Sequence, residues 1–214
     1  VVTRATLHNI DYFRALELGE GDKIHVIRAN MVIPKVVGND TKSNTEKIPD
    51  KCPVCGAKTE IRLLKTSNVL YCSNKNCVSK KIQQFAHFVS RNAMNIIGLS
   101  EKSIEKFINL GFLKDLPDIY KLEQYKNQII NLEGFGEKSY NKLLKSINNS
   151  KNCILANFIF ALGIPNVGLS TAKNLCDYFG NDINLLMNAN MKDFLDIKDI
   201  GEIVTASIYS WFNN

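Results

Sequence analysis

The stretch Leu132-Glu133-Gly134-Phe135-Gly136-Glu137-Lys138 places a glycine, an apolar residue and a second glycine directly before a helical pattern. The same arrangement occurs four times in the chain. When the second glycine of each copy is set in one column, the steps between copies are 36, 32 and 33 residues, and the column reads Ser100, Gly136, Gly168 and Gly201. Steps of this length are typical of structural repeats.

Apolar residues recur at fixed distances from this column. One stands directly before it and another four residues before it in every copy. A pair follows at seven and eight residues: Phe107/Ile108, Leu143/Leu144, Leu175/Cys176 and Ile208/Tyr209. Because this spacing is helical, each copy is predicted to form a short approach helix, a tight hairpin and a second helix.

The glycines of such a hairpin permit positive φ and let backbone N–H groups come close to a ligand. The helix start adds unpaired N–H donors and the positive end of the dipole, which suits a phosphate. One copy alone could be an ordinary helix turn, but four aligned copies favour a repeated motif. The pattern resembles the helix-hairpin-helix family of sequence-nonspecific DNA-binding motifs, and two pairs resemble the compact domain that stacks them.

The four copies differ in chemistry. The first hairpin position reads Gly98, Gly134, Asn166 and Asp199, and Asn and Asp tolerate left-handed backbone best among non-glycine residues. Asp199 would put a carboxylate where a phosphate lies, so we expect the fourth copy to be mainly structural and the second to be the strongest clamp. The candidate DNA contacts are Gly98, Lys102, Gly134, Gly136, Lys138, Lys142, Asn166, Gly168, Lys173 and Gly201.

Four cysteines follow the pattern C-x₂-C-x₁₆-C-x₄-C, at Cys52, Cys55, Cys72 and Cys77. Two short loops with paired cysteines can bring four soft ligands to a tetrahedral Zn²⁺. Two disulfides or buried thiols are the alternatives, and the lack of an export signal favours zinc. Four cysteines close the coordination shell, so the metal is predicted to be structural rather than catalytic.

Other candidate ligands have a simpler explanation. His87 lies ten residues beyond the last of these cysteines on a predicted amphipathic helix, where a lone histidine is more often a packing or surface residue than a ligand. Cys153 and Cys176 stand in apolar helical contexts and are predicted to be core residues.

Residues 1–38 carry strand signals. A β-prone run covers residues 1–7, a brief helix could be capped by Asn9 or Asp11, and polar-apolar alternation over Lys23–Arg28 and the run Met31–Val37 predicts two further strands. The sequences Arg4-Ala5-Thr6-Leu7-His8-Asn9 and Val32-Ile33-Pro34-Lys35-Val36-Val37 resemble segments of the oligonucleotide-binding (OB) barrel of bacterial NAD-dependent DNA ligases. The cysteines and the hairpins follow in that family's order.

The resemblance covers nearly the whole chain and implies that the chain is a C-terminal fragment of such a ligase. The opening barrel strands are missing, which leaves an open sheet edge, and Asn30-Met31 replaces the usual Gly-Asp. In this family the barrel contacts DNA beside the nick, the zinc module joins barrel to helices, and the hairpins grip the backbone across the minor groove. Arg4, Arg28 and Lys35 are the candidate barrel contacts; solvated strand-end charges are the alternative.

The predicted fold is multidomain and mainly α: a partial OB segment at 1–38, a polar linker at 39–50, a four-cysteine zinc finger at 51–78 and an all-α domain of four helix-hairpin-helix motifs at 79–214. The formal net charge of +6, from 27 basic and 21 acidic residues, fits a phosphate-rich partner. No run of eighteen apolar residues occurs and no export signal is evident, so we expect a soluble, non-exported protein without membrane contact. The resemblance implies a bacterial cytoplasmic, nucleoid-associated location. The initial Val1 suggests a piece of something longer.

Ligase chemistry itself is not expected in these residues. The family's adenylation lysine lies in a Lys-x-Asp-Gly motif, which does not occur here. The resemblance therefore implies that NAD and Mg²⁺ act only through the adenylation domain of the parent chain, that this fragment is inactive alone, and that its partner is nicked duplex DNA. A free-standing, non-enzymatic DNA-binding adaptor is the alternative.

Overall fold

The computed structural model describes residues 2–29, 33–64 and 67–213. The chain divides into two compact units, residues 1–79 and 80–214. Most elements are helices, with two small antiparallel sheets, which confirms the predicted multidomain, mainly α fold. The predicted boundaries after residues 38 and 50 both lie inside the first unit. The predicted turn at Asn30-Met31, together with Val1 and Val32, lies outside the described residues.

The first unit begins with helix α1 (Ile10–Leu16) and the antiparallel strands β1 (Ile24–Ala29) and β2 (Ile33–Asn39). The Asn9 side chain caps α1 by accepting a hydrogen bond from the Tyr12 N–H at 2.9 Å. Within residues 2–7 the predicted strand is reduced to a parallel bridge between Thr6 and Lys35 of β2. The sequence overestimated its length because β-propensity says nothing about which edge is available for pairing.

The β1–β2 ribbon exposes much apolar surface. Ile24, Val26, Ile27, Ile33 and Val37 are between 38% and 57% exposed, and they are distributed over both faces because side chains alternate along a strand. Two strands and one helix cannot cover both faces of a ribbon.

The segment predicted as a linker, residues 39–50, runs back along the loop that follows α1. The N–H groups of Asn44 and Glu46 donate to the carbonyl oxygens of Glu17 and Leu18 at 2.9 and 3.0 Å. Asn39 is buried and its Nδ2 donates to the Leu16 carbonyl at 2.9 Å. Polar composition alone did not indicate these bonds.

A second hairpin completes the unit. Strands β3 (Thr59–Leu64) and β4 (Ser67–Cys72) pair antiparallel, with Thr59 opposite Cys72. Helix α2 (Val78–Val89) follows the last cysteine of the cluster.

The second unit is helical. A 3₁₀ helix covers Leu116–Tyr125 and leads into one short α-helical turn. The α-helices after α2 are α3 (Glu101–Asn109), α4 (Lys126–Ile129), α5 (Glu137–Ser150), α6 (Leu155–Ala161), α7 (Leu169–Tyr178), α8 (Ile183–Met187), α9 (Met191–Leu195) and α10 (Glu202–Phe212). No helix among the described residues is long and apolar enough to cross a membrane.

Two hydrophobic cores divide these helices into a first motif pair (residues 80–153) and a second motif pair (residues 154–214). The first core buries Phe85, Ile104, Phe107, Leu143 and Ile147, and the second buries Ile159, Leu175, Leu186, Phe194 and Ile208. Phe158 and Phe160 of α6 pack against both cores. Copies two to four have the predicted approach helix, whereas the first has only turns at residues 91–94.

Candidate nucleic-acid interface and metal centre

The four hairpins share one backbone conformation. Gly98, Gly134, Asn166 and Asp199 have φ of 107°, 84°, 65° and 65°, all in the left-handed region. Asn and Asp accept this region more readily than other side chains. The prediction that Asn166 and Asp199 can take the left-handed conformation that glycine has in the first two copies is therefore confirmed.

The column residue of each copy is the N-cap of the following helix. Its carbonyl accepts the N–H of the residue four positions later, at 2.8 to 3.0 Å in all four copies. Gly136, Gly168 and Gly201 have φ of −170°, −86° and −96°, which any residue adopts. A Cβ built at these glycines would meet nothing within 4 Å among the described residues.

Neither conformation nor packing within the described chain therefore requires glycine at these three caps. Ser, Thr, Asp and Asn are the usual N-caps because their side chains satisfy the free N–H groups of the first turn. Their absence leaves donors uncovered at three helix starts, and such donors suit an anion. At the start of α5 one of these N–H groups is already occupied, because the Gly136 N–H donates to Ser139 Oγ at 2.9 Å. No described residue covers the remaining N–H donors of this helix start.

The first copy differs because Ser100 caps its own helix. The Ser100 hydroxyl oxygen accepts a hydrogen bond from the Ser103 N–H at 3.2 Å. One donor that a glycine cap would leave uncovered is thus occupied, which agrees with the expectation that this copy holds a phosphate less well than the second.

Charge around the caps changes along the chain. Two residues after the column stand Lys102, Lys138, Ser170 and Ile203 in the four copies. Lys102 and Lys138 are exposed, as are Lys142 and Lys173. Ile203 is 75% exposed, so the fourth helix start presents an aliphatic side chain to solvent where the first two copies present an ammonium group.

The two motif pairs carry opposite net charge. The first contains twelve lysines and arginines against seven acidic residues, and the second contains three lysines against six acidic residues. Sequence reasoning missed this asymmetry because it counted charge over the whole chain, although a count for each pair would have found it. A polyanion therefore attracts the first motif pair and repels the second.

The four predicted metal ligands come together in the first unit. Their Sγ atoms all lie within 4.8 Å of one another, with Cys55 and Cys72 at 3.4 Å and Cys52 and Cys77 at 4.0 Å. These separations are too long for S–S bonds. A tetrahedron with Zn–S bonds of about 2.3 Å has sulfur-sulfur edges of about 3.8 Å, so the residues fit a tetrahedral ion.

Local backbone structure shapes this cluster. The Cys52 N–H donates to the Ala57 carbonyl at 2.7 Å and the Gly56 N–H donates to the Cys52 carbonyl at 2.9 Å, with Gly56 in the left-handed region at φ of 70°. The Ala57 N–H directed at Cys55 lowers the pKa of that thiol to about 6. Loss of hydration raises the pKa of Cys72 to about 12, a cost that a divalent cation would remove by binding the thiolate.

The remaining candidates have structural positions. His87 Nε2 donates to the Phe160 carbonyl at 2.7 Å, and its ring meets the Phe160 ring edge to face at 4.6 Å. These contacts give His87 a packing role, and the candidate ligand group among the described residues consists of the four cysteines. Cys176 is buried in the second core as predicted, while Cys153 is only partly buried.

The three candidate barrel contacts do not form one surface on the ribbon. Arg28 lies opposite Pro34, so these two share a face, and alternation places Lys35 on the other face. The Lys35 ammonium lies 5.0 Å from the centre of the Tyr12 ring. Arg4 is exposed on the segment that leads to Thr6.

Four hairpins with a left-handed residue at the same position, arranged in two pairs, and a four-cysteine cluster define a tandem helix-hairpin-helix protein with a four-cysteine module whose geometry fits a metal ion. Residues 157–214 match the family described as helix-hairpin-helix motif, and residues 1–48 match the NAD-dependent DNA ligase OB-fold domain. The chain is thus similar to NAD-dependent DNA ligases in its N-terminal segment and to helix-hairpin-helix proteins in its C-terminal segment.

Curated relatives named DNA ligase match along the whole chain. The chain is 47% identical over 213 residues to that of Ruminiclostridium cellulolyticum, which covers 100% of this chain and 32% of the relative. It is 47% identical over 211 residues to that of Lachnoclostridium phytofermentans, covering 99% and 32%, and 40% identical over 219 residues to that of Petrotoga mobilis, covering 100% and 32%. The chain thus spans about a third of the length of these relatives.

Proposed function

We propose that this chain is the DNA-binding portion of an NAD-dependent DNA ligase, which grips nicked duplex DNA through backbone phosphates while another domain performs the chemistry. The observation that carries the proposal is the repeated hairpin, which has one left-handed residue and an extended N-cap in each copy. Three of the four N-caps are glycine, although neither backbone conformation nor packing in the described chain requires glycine there. Uncovered N–H donors at several helix starts read no base edge, so binding is independent of sequence.

The first motif pair forms the main grip. Its net positive charge and its lysines beside the helix starts attract phosphate. The second copy is the strongest clamp, with Gly134, Gly136, Lys138 and Lys142; the first adds Gly98 and Lys102. The third contributes less, through Asn166, Gly168 and Lys173. The fourth, with Gly201 beside Asp199 and Ile203, is mainly structural.

The barrel segment contributes contacts beside the nick. Arg28 and Lys35 lie on opposite faces of the ribbon, so a flat ribbon would bring only one of them to the duplex together with Arg4. Zinc at the four cysteines is structural and holds the β3–β4 hairpin to the loop around Cys52 and Cys55.

The parent reaction proceeds in three transfers. NAD⁺ donates AMP to an enzyme lysine, AMP passes to the 5′-phosphate of the nick, and the 3′-hydroxyl displaces it to seal the strand. The Lys-x-Asp-Gly motif for the first transfer does not occur in these residues. The chain therefore uses NAD and Mg²⁺ only through the adenylation domain of the parent protein, is inactive alone, and acts at the bacterial nucleoid in the cytoplasm.

A free-standing adaptor would share these DNA contacts. The whole-length similarity to proteins named DNA ligase favours the ligase over the adaptor. The two differ in one assay: addition of this chain to the separate adenylation part should increase sealing of a nicked duplex with NAD and Mg²⁺. An adaptor would leave the sealing rate unchanged.

Binding is tested with the full 214-residue chain and labelled duplexes of about three helical turns, long enough for every hairpin to reach a backbone, either nicked or intact, each in two unrelated sequences. We expect equal affinity for the two sequences, tighter binding of the nicked duplex, and a steep linear fall of log affinity with log salt concentration. Affinity that differs strongly between the two sequences, or that does not depend on salt, would contradict the proposal.

A further inference from the structure

Each hairpin is hydrogen-bonded by a side chain from the other motif of its pair. In the first pair, the Lys106 ammonium on α3 donates to the Glu133 carbonyl, directly before Gly134 of the second hairpin, at 3.0 Å. The reciprocal bond also exists. The Ile97 N–H of the first hairpin donates to Ser146 Oγ on α5 at 2.7 Å, and this hydroxyl donates to the Asn95 carbonyl at 3.3 Å.

The second pair repeats the arrangement with other residues. Asn174 Nδ2 on α7 donates to the Lys198 carbonyl, directly before Asp199 of the fourth hairpin, at 3.3 Å. Asn166 Nδ2 of the third hairpin donates to Ser207 Oγ on α10 at 3.1 Å. Each bond thus crosses from the second helix of one motif to the hairpin of its partner.

Three of these four helix residues occupy the same repeat position. Lys106, Asn174 and Ser207 all stand six residues after their column residue, and Ser146 stands ten after. In the second and fourth hairpins the accepting carbonyl belongs to the residue directly before the left-handed one. A left-handed residue reverses the chain, so a donor from outside the hairpin can satisfy that carbonyl where a helical donor cannot.

We propose that Lys106, Ser146, Asn174 and Ser207 are positioning residues that fix the two hairpins of each pair relative to each other. In the first pair both hairpins then reach one DNA backbone together, and in the second pair the structural fourth hairpin holds the third in place. The inference rests on the proposed function and assigns these side chains a task besides stability. Two phosphate sites held at a fixed distance lose less conformational entropy when they bind one duplex than two mobile sites do.

Ser146→Ala tests the coupling without changing charge. One lost hydrogen bond should lower the affinity of the full chain for a nicked duplex by between about twofold and tenfold. The slope of log affinity against log salt should stay unchanged, because no phosphate contact is removed. Exchange of the Ile97 amide with deuterium should accelerate. Asn148→Ala, an exposed side chain on the same helix, is the control and should change none of these.

Lys106→Met separates positioning from direct phosphate contact. We expect reduced affinity in the wild-type background but no further reduction in a Gly136→Glu background, since Lys106 acts through the second hairpin. Lys102→Met, a direct contact, should lower the salt slope by about one unit and lose affinity in both backgrounds. Equal losses for Lys106→Met in both backgrounds would overturn the inference, as would unchanged exchange of the Ile97 amide in Ser146→Ala.

The two proposals can fail separately. If the wild-type chain does not bind DNA, the proposed function fails, and amide exchange still reports whether the cross-motif bonds hold the hairpins. If DNA binds normally in Ser146→Ala, Ser207→Ala and Lys106→Met, the positioning assignment fails while the proposed function stands.

Discussion

The Asp11 carboxylate on α1 accepts two hydrogen bonds from Asn68 on β4, from the backbone N–H at 2.9 Å and from Nδ2 at 2.7 Å. The two residues are 57 positions apart, and the pair joins the barrel segment to the cysteine hairpin within the first unit. These two bonds hold the pKa of Asp11 below its ordinary value, with the side-chain bond as the larger cause.

The Asp11 contact should make the first unit sensitive to acid. Because folding lowers this pKa, the ionised carboxylate stabilises the unit above the ordinary aspartate pKa, and this contribution is lost as pH falls through the lowered value. Asp11→Ala should accelerate deuterium exchange at the Asn68 amide at neutral pH. In this variant the protection of that amide should no longer fall as the pH is lowered. Glu20→Ala, a neighbouring exposed carboxylate, is the control. An equal change in both variants would contradict the contact.

Zinc removal should unfold the first unit and leave the second folded. The cysteine cluster joins the loop at Cys52 and Cys55 to the end of β4 and Cys77, all within the first unit, whereas the second unit has two hydrophobic cores of its own. Elemental analysis should find one zinc per chain, and a chelator should abolish amide protection around β3 and β4. Cys72→Ser should lower the zinc content, while Cys153→Ser should not. Full zinc content in Cys72→Ser would argue against the assigned ligands.

Glutamate at two of the glycine caps should rank the hairpins. Both sites have open space for a side chain and unstrained φ, so the fold should persist in Gly136→Glu and Gly201→Glu. We expect about a tenfold loss or more of DNA affinity for Gly136→Glu, from repulsion between carboxylate and phosphate, and little loss for Gly201→Glu. Gly136→Ala and circular dichroism control for backbone effects. Equal losses would overturn the ranking.

The fourth hairpin should gain phosphate binding when its chemistry is restored. The variant Asp199→Asn/Ile203→Lys keeps a residue that accepts left-handed backbone and places a lysine where the first two copies have one. The salt dependence of DNA binding should steepen by up to about one unit. The variant Leu195→Lys/Asp196→Asn changes the net charge by the same two units, at exposed positions at the end of α9, and should change the slope less. No difference between the two would mean that this hairpin does not face the duplex.

Phe107→Ala should weaken the first core and the second hairpin together. Phe107 is fully buried, and its ring contacts Phe135, the central residue of the Gly-Phe-Gly hairpin, at 5.3 Å between centres. A cavity of this size costs about 3–5 kcal/mol of unfolding free energy. Chemical denaturation measures the loss, and DNA affinity should fall even where the variant remains folded. Phe194→Ala in the second core is the matched control and should affect affinity less.

The repeats and the cysteines could be predicted because their signals are local. Spacing alone located four hairpins, and the tolerance of Asn166 and Asp199 for left-handed backbone predicted their common shape. The first approach helix was predicted, but turns take its place, and the 3₁₀ helix over Leu116–Tyr125 was not predicted. Apolar spacing does not separate tight turns or a 3₁₀ helix from an α-helix over so few residues. The Lys106 and Ser146 bonds cross between motifs, and a pattern within one copy does not reveal its partner.

The unequal charge of the two motif pairs makes the helical unit an electric dipole. Near a polyanion such a body feels a torque as well as an attraction, so its positive end turns toward the strand before any hairpin touches it. Productive encounters then form a larger share of all collisions, and added salt removes this advantage by screening. The orientation of the helical unit relative to the polyanion is therefore set during approach, within about one Debye length of the surface. The shape of the four hairpins affects binding only after contact.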